Sequence, residues 1–347
     1  MRYATFDEVM TSLEKKKRQV HLLLGNGFSM VYDPMIFSYN ALYDFISSQK
    51  DEVLIKILSA MKTKNFELMM AQLEVVSSLL KSLGADAKLQ KQVEDAHSKL
   101  KTSLLDAIKS LHPEHVFKIA DEKSQACAKF LDRFLRTGGQ VYTTNYDLLL
   151  YWVLMRQEVP NAIDGFGREL LNPVEAAGGG EPGWWGLGWG KKRENQNIFY
   201  LHGSLPLFDT GTQVIKEQYD GGGYLLENIS TRLEDGEYPI FVTAGNGDDK
   251  LSQIRHNPYL SDCYDHMSEL DGSVVTFGFG FGEYDGHIIE ALNKATKFGT
   301  RLPPKLWSVY IGTYSDLDAD YIDSIQHKFH AKVHTFDAKT VKLWGQR

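Results

Sequence analysis

Cysteine is nearly absent from this chain: its 347 residues include two, Cys127 and Cys263, and neither belongs to a C-x-x-C pair. Isolated thiols exclude a four-cysteine zinc ribbon and leave no disulfide framework, so a reducing compartment is expected. Long apolar runs are missing too, and no stretch approaches the roughly 18 residues of a membrane span. The first residues, Asp7, Glu8, Glu14 and Lys15 among them, lack a basic segment followed by an apolar core, so no signal peptide is expected. There is no basic surplus. A formal charge of −7 disfavours nucleic acid, whose phosphates call for basic surface. The run Lys15-Lys16-Lys17-Arg18 reads as a solvated helix end. A soluble, cytoplasmic protein without a membrane partner is expected.

What is present is ordinary globular material, 43% hydrophobic and 24% charged, in enough chain for one large α/β domain or two smaller ones. Val20 to Leu24 is a short apolar run that breaks at Gly25, as a buried first strand entering a loop does. Ala41, Leu42, Phe45 and Ile46 have helical spacing. So do Phe66, Met69, Met70, Leu73, Val76 and Leu80, and then Val93, Ala96, Leu100, Leu104, Ile108 and Leu111. Residues 50–136 therefore read as a helical insertion after the first strand, closed by Phe130, Leu131, Phe134 and Leu135 and stopped at Thr137-Gly138-Gly139.

The period then changes. Gln140 to Thr144, Ile198 to Leu201, Pro239 to Thr243, Val274 to Phe279, Trp307 to Ile311 and Lys332 to Phe336 are short apolar or β-branched runs. Helical patterns such as Asp285 to Lys294 and Asp316 to His327 follow several of them. Long crossovers favour a doubly wound, mainly parallel, Rossmann-like α/β sheet, taken as one domain over residues 1–347. Residues 161–196, with Gly178-Gly179-Gly180 and the run Trp184 to Gly190, read as a long loop, as do residues 209–223 ending in Gly221-Gly222-Gly223.

Polar residues at strand ends carry the functional signal. Tyr142-Thr143-Thr144-Asn145-Tyr146-Asp147 closes one strand-like run and opens the helical pattern Leu148 to Leu154. Other strand ends read Phe199-Tyr200-Leu201-His202-Gly203 and Leu24-Gly25-Asn26-Gly27-Phe28-Ser29. Such switch points are where an open α/β sheet places a nucleotide. Glycines there let backbone N–H groups approach a pyrophosphate with no Cβ in the way. Met30 stands where the G-x-G-x-x-G dehydrogenase fingerprint has its third glycine, which disfavours a dehydrogenase.

An amide such as Asn145 can orient a ribose hydroxyl or a water, and Asp147 can bond a carboxamide or steady a loop; either can instead cap the next helix. His202 suits proton transfer at a sugar hydroxyl, and the other histidines lack a comparable context. The last cluster is Gly278-Phe279-Gly280-Phe281-Gly282-Glu283-Tyr284-Asp285-Gly286-His287, whose alternating glycines form a flexible, anion-friendly turn, with Asp285 expected to cap the following helix. A ribose or adenine contact there competes with a plain strand–turn–helix junction.

Together these runs resemble the sirtuin-like NAD-binding fold, whose members carry, in order, a G-A-G-x-S loop, a T-Q-N-x-D strand end, an H-G dipeptide and a later glycine or serine loop. The matching runs are Gly25 to Ser29, Thr143 to Asp147, His202-Gly203 and Gly278 to Asp285. The resemblance spans residues 20–312 and leaves out the N-terminal helix and the last strand. Protein-deacylating sirtuins hold a zinc module on four cysteines, which this chain cannot build, and Asn26 stands where sirtuins have a small residue. The chain is more similar to the bacterial sirtuin-like branch with an early helical insertion.

That resemblance implies NAD as substrate and no metal. It implies cleavage of the nicotinamide–ribose bond to nicotinamide and ADP-ribose, in antiviral defence by NAD depletion. Residue by residue, it implies Asn145 for the ribose and attacking water, His202 for a proton shuttled through a ribose hydroxyl, and Asp147 for the nicotinamide carboxamide or its loop. Gly25, Asn26, Gly27, Phe28, Ser29, Thr144, Gly278, Gly280 and Asp285 would bind the nucleotide. Such an enzyme needs an off state, and the helical insertion and the Trp184–Trp189 segment offer surface for gating or homo-oligomer assembly. Other functions stay open on the residues: a sensor that binds NAD or ADP-ribose without turnover, ADP-ribosyl transfer or NAD-dependent deacylation, and hydride transfer.

Overall fold

The computed structural model describes residues 4–345 apart from 35–44, 46–47, 49–50, 62–65, 114, 171–183, 219–223, 236, 238, 243–245, 301 and 304. The chain opens with β1 (Ala4–Thr5) and α1 (Phe6–Lys15), whose Thr5 and Glu8 close a reciprocal capping box. Then β2 (Val20–Leu24) runs directly into α2 (Gly27–Tyr32). Among the described residues four α-helices follow: α3 (Glu52–Met61), α4 (Phe66–Ser82), α5 (Ala87–Leu111) and α6 (Asp121–Leu135). Met69, Leu73, Ala96 and Leu100 are buried between them, as their helical spacing predicts. The chain re-enters the sheet at β3 (Val141–Thr143), followed by α7 (Leu149–Arg156). Of the expected helix around Ala41, Leu42 and Ile46, those residues lie outside the described ones.

A seven-stranded sheet forms the centre, in the order β1-β12-β11-β10-β2-β3-β6, with β6 (Ile198–Tyr200), β10 (Gly272–Phe277), β11 (Leu306–Thr313) and β12 (Lys332–Asp337). Every neighbouring pair in it is parallel. The architecture is thus Rossmann-like α/β. All residues of β2 and β10 are buried, which is why these strands read as unbroken apolar runs. From β2 the chain steps outward through β3 to β6. It later returns to β10 on the other side of β2 and steps outward again through β11 and β12. The order reverses between β2 and β10, and a crevice opens at such a point beyond the carboxyl ends of the strands.

From the chain between β3 and β10, on either side of β6, comes a second sheet, antiparallel, ordered β4-β5-β8-β7-β9. Its strands are β4 (Phe166–Leu170), β5 (Trp184–Trp189), β7 (Gly203–Asp209), β8 (Val214–Lys216) and β9 (Pro239–Phe241). This corrects two expectations. The segments 161–196 and 209–223 carry strands where long loops are expected, and the Pro239 run pairs in the second sheet and not in the parallel one. Glycines hid the signal: in Gly186-Leu187-Gly188-Trp189 the period of two is present, but half of its positions have no side chain. A run as short as Pro239–Phe241 cannot specify a parallel or an antiparallel neighbour. Gly178 to Gly180, Gly221 to Gly223 and Thr243 lie outside the described residues.

Lys216 of β8 forms a part-buried ion pair with Asp164, just before β4, and its ammonium lies 4.8 Å from the centroid of the Tyr151 ring on α7, a contact between the second sheet and the first layer. The remaining α-helices among the described residues are α8 (Leu225–Glu234), α9 (Gly247–His256), α10 (Pro258–Ser268), α11 (Gly286–Ala295) and α12 (Asp316–Ile325). Among the described residues, no helix is long and apolar enough to cross a membrane. Both cysteines are buried and unbridged.

Candidate active site

The registers of four adjacent strands align their carboxyl ends: Phe277 pairs with Leu24, Leu24 with Thr143, and Thr143 with Tyr200. The next residues along each strand are Gly278, Gly25, Thr144 and Leu201. Parallel pairing therefore sets the four turns singled out in the sequence side by side on one edge of the sheet.

The β2 and β10 turns touch through backbone. A Cβ on Gly27 would stand 2.5 Å from the Gly278 Cα, and one on Gly25 would stand 2.5 Å from the Gly278 carbonyl oxygen. The N–H of Gly25 donates to Phe277 at 3.0 Å and that of Gly27 to Gly278 at 2.9 Å. Phe28 and Ser29 donate to the carbonyls of Gly25 and Asn26. These glycines thus permit close approach of two loops, and the N–H groups expected to face a pyrophosphate are engaged within the protein. The Phe28 ring is buried against Trp344, 5.1 Å between centroids. Thr144 donates its N–H to Leu24 at 3.1 Å, joining the β3 turn to the β2 end.

Asn145, Asp147 and Ser29 come together. Asn145 Nδ2 donates to Ser29 Oγ at 3.0 Å, and Ser29 Oγ donates to Asp147 Oδ2. Because the hydroxyl proton goes to the carboxylate, the amide must present its NH2 to Ser29. That orients Asn145 Oδ1 away from the serine as an acceptor. Asp147 Oδ1 also accepts the N–H of Leu149 at 2.9 Å, so the carboxylate serves the start of α7 as well. All three side chains are buried, and burial raises the Asp147 pKa, against the opposing pull of the Ser29 and Leu149 hydrogen bonds.

His202 occupies the joint where the chain leaves β6 and enters β7. Gly203 makes that joint possible: its φ is +78°, and a Cβ there would stand 1.9 Å from the Ile240 carbonyl oxygen. The joint is locked to the β3 turn, since Ser204 Oγ and Leu205 N donate to the Tyr146 carbonyl at 3.1 and 2.8 Å, and to β9, since Val242 N donates to the His202 carbonyl at 3.0 Å.

His202 Nε2 lies 2.8 Å from Nε2 of His287 at the start of α11. Burial lowers the pKa of both rings. His287 and then Lys250 push His202 further down, and Lys250 helps bring His287 to about 3. Both imidazoles are neutral at physiological pH. Lys250, fully buried on α9, lies 3.5 Å from Asp285 Oδ1.

His287 closes the glycine-rich cluster read in the sequence but is given no role there, and Lys250 is not singled out at all. His287 does have a strand-end context, because it follows the glycine-rich turn after β10; the rule that singles out His202 applies to it too. Lys250 sits mid-helix and carries no signal. Asp285 is also corrected. It occupies the N-cap position of α11, but its side chain makes no cap; Oδ2 instead accepts the N–H of Gly282 at 3.0 Å.

Beside the switch point lies a cleft of about 510 Å3, walled by the β2 turn (Asn26, Met30), the β10 turn (Gly278, Gly280) and the β11 end with α12 (Tyr314, Tyr321). Asn145, Asp147 and His202 do not line this cleft.

The chain belongs to the DUF4917 family, a domain of unknown function, whose model matches residues 22–344. No curated protein matches it.

Proposed function

We propose that this chain is an NAD glycohydrolase that releases nicotinamide and leaves ADP-ribose. One observation carries the reading: the in-register ends of β10, β2, β3 and β6 set Gly278, Asn26, Asn145 and His202 on consecutive turns of one sheet edge, at the reversal of strand order. From β11 to β6 there are four strand spacings, about 19 Å at about 4.8 Å each. An extended dinucleotide is of that scale. Its adenosine half takes the cleft between the β10 turn and α12, with Tyr314 and Tyr321 as ring contacts and Asn26 and Gly280 beside the pyrophosphate. The nicotinamide riboside end crosses toward Asn145 and His202.

The bond from C1′ to the nicotinamide nitrogen breaks, and its electron pair leaves with neutral nicotinamide. Water oxygen bonds to the cationic C1′, and one proton is released. Asn145 Oδ1 accepts from that water or from a ribose hydroxyl, and neutral His202 takes the proton. Asp147 holds Ser29 and Asn145 in place and orders the loop at the carboxamide. We extend the reading to antiviral defence by NAD depletion, on the resemblance to bacterial sirtuin-like proteins, with a homo-oligomer as the regulated form.

A second reading is a module that binds NAD or ADP-ribose without turnover. The burial of Asn145, Asp147 and His202 favours it. Incubating purified protein with NAD separates the two: free nicotinamide from wild type and none from His202→Ala supports hydrolysis, and none from either, with NAD bound, supports the module.

A further inference from the structure

We propose that the amino-terminal edge of the parallel sheet, opposite the candidate active site, is a docking surface for single-stranded nucleic acid. Lys16, Arg18 and Lys332 take phosphates there, and Phe298 and Trp307 stack on unpaired bases. The inference is independent of the hydrolytic reading.

Three stretches far apart along the chain carry positive charge and no Asp or Glu: residues 15–22 with four Lys or Arg, 293–307 with four, and 325–336 with two. Arg301 of the second lies outside the described residues. In a chain of net charge −7 the surplus shows only once the fold gathers it. The stretches lead into β2, β11 and β12, and parallel pairing, with β10 between β2 and β11, sets the amino ends of these strands along one edge.

Side-chain contacts join the three. The Arg18 guanidinium lies 5.1 Å from the centroid of the Trp307 ring. Lys16 Nζ lies 3.5 Å from the Tyr310 hydroxyl, and the Tyr310 ring stacks on His334 at 4.9 Å. Lys332 stands in register with Ser308, the neighbour of Trp307. Asn293, on α11, donates Nδ2 to the Lys328 carbonyl at 2.8 Å and accepts the His330 N–H at 2.7 Å. The Phe298 and His330 rings are 4.4 Å apart.

The chemistry of this surface selects the ligand. Lys15, Lys16, Lys17, Lys305 and Lys332 are exposed. Phe298 and Trp307 are 72% and 46% exposed, large rings left in water beside cations. Of the acids that border the patch, Glu290 pairs with Lys294 at 2.7 Å, Asp271 with the buried His21 at 3.2 Å, and Glu14 stays exposed on α1. Cations beside exposed rings suit a phosphate backbone with unpaired bases, since phosphates supply the attraction and rings stack on bases of any sequence. A duplex keeps its base faces covered. An anionic lipid surface would use the same cations and the exposed Leu302, but Trp307 lies within β11 against Arg18 and does not project as an inserting anchor does. From Trp307 to Thr313, β11 spans roughly 20 Å at about 3.3 Å per residue, so this patch and the cleft lie at opposite ends of the strand.

The probe is a fluorescein-labelled oligothymidylate of about 20 nucleotides, a length that covers one or more single-strand sites, read by anisotropy with the full chain. Binding should weaken as salt rises, by about 0.7 in log K per unit of log salt for each phosphate contact. The double variant Arg18→Glu, Lys332→Glu should bind at least about tenfold more weakly, with its melting temperature checking the fold. Phe298→Ala, at an exposed position, should cost about fivefold to a hundredfold, the scale of one lost stack. Lys91→Glu, on an exposed face of α5, should bind as wild type does. No binding by wild type, equal binding by the double variant or by Phe298→Ala, or a duplex bound as tightly as the single strand would each overturn the proposal. So would binding to vesicles of phosphatidylserine and phosphatidylcholine that Leu302→Ala abolishes, with no binding of the oligonucleotide; that result would assign the surface to lipid.

Discussion

The Asn145 amide donates to the Ser29 hydroxyl at 3.0 Å, and the hydroxyl donates onward to Asp147, so one serine on the β2 turn holds both polar residues of the β3 turn. Ser29→Ala removes both bonds and leaves a buried carboxylate with one donor fewer. The expected loss is about 1–3 kcal/mol of stability. NAD cleavage should fall by at least about tenfold, because Asn145 loses its fixed orientation. Urea denaturation and nicotinamide release measure the two, and a variant unchanged in both would mean that Ser29 holds nothing.

Removal of the proposed proton acceptor acts on turnover more than on binding. His202→Ala should lower kcat by about a hundredfold to ten-thousandfold, the range for a general acid–base group. Asn145→Ala should nearly abolish turnover. NAD affinity measured by calorimetry should stay within about tenfold of wild type for His202→Ala, because the cleft proposed for the adenosine half is separate from that residue. Retained cleavage by both variants would remove Asn145 and His202 from the mechanism.

The glycines divide into those the backbone requires and those it does not. Gly203→Ala puts a Cβ 1.9 Å from a carbonyl oxygen at φ +78°, whereas a Cβ on Gly280 meets nothing within 4 Å. Gly203→Ala should destabilise by about 3 kcal/mol or more, combining left-handed strain with overpacking. Gly280→Ala should leave stability within about 0.5 kcal/mol and report only on the cleft. Similar melting temperatures for the two variants would count against the β6–β7 joint described above.

What was legible in the sequence follows from what is periodic and what is paired. The parallel strands β2, β3, β6 and β10 were legible because burial on both faces makes them continuous apolar runs, and helices α4 to α6 because one face of each is apolar; β1, two residues long and partly exposed, was not read. The second sheet was not, since glycine in β5 erased half of its alternation and β8 and β9 are three residues each. At the site, chain position gave the turns, but partners are set by tertiary packing. Nothing in Gly25 to Ser29 says that its N–H groups are taken by the β10 turn, or that Ser29 faces Asp147. Nor can spacing show His287 against His202, 85 residues away.

The buried imidazole pair also sets a pH dependence of stability. The folded pKa values of His202 and His287 lie below the ordinary value of 6.5, the latter at about 3. The native state therefore binds fewer protons than the unfolded chain in that window. Their contribution is complete above about pH 6.5 and is lost as pH falls toward about 3, by at most about 1.4 kcal/mol per pH unit for each ring. Asp147 works in the opposite sense, because its raised pKa makes the native state bind more protons just above the ordinary carboxyl value of 3.8. Urea midpoints between about pH 7 and about pH 4.5 should fall with acid in wild type. They should fall less steeply in His287→Gln, which cannot take up that proton on unfolding. Parallel slopes in the two proteins would mean that His287 titrates normally in the folded state, and so is not buried against His202.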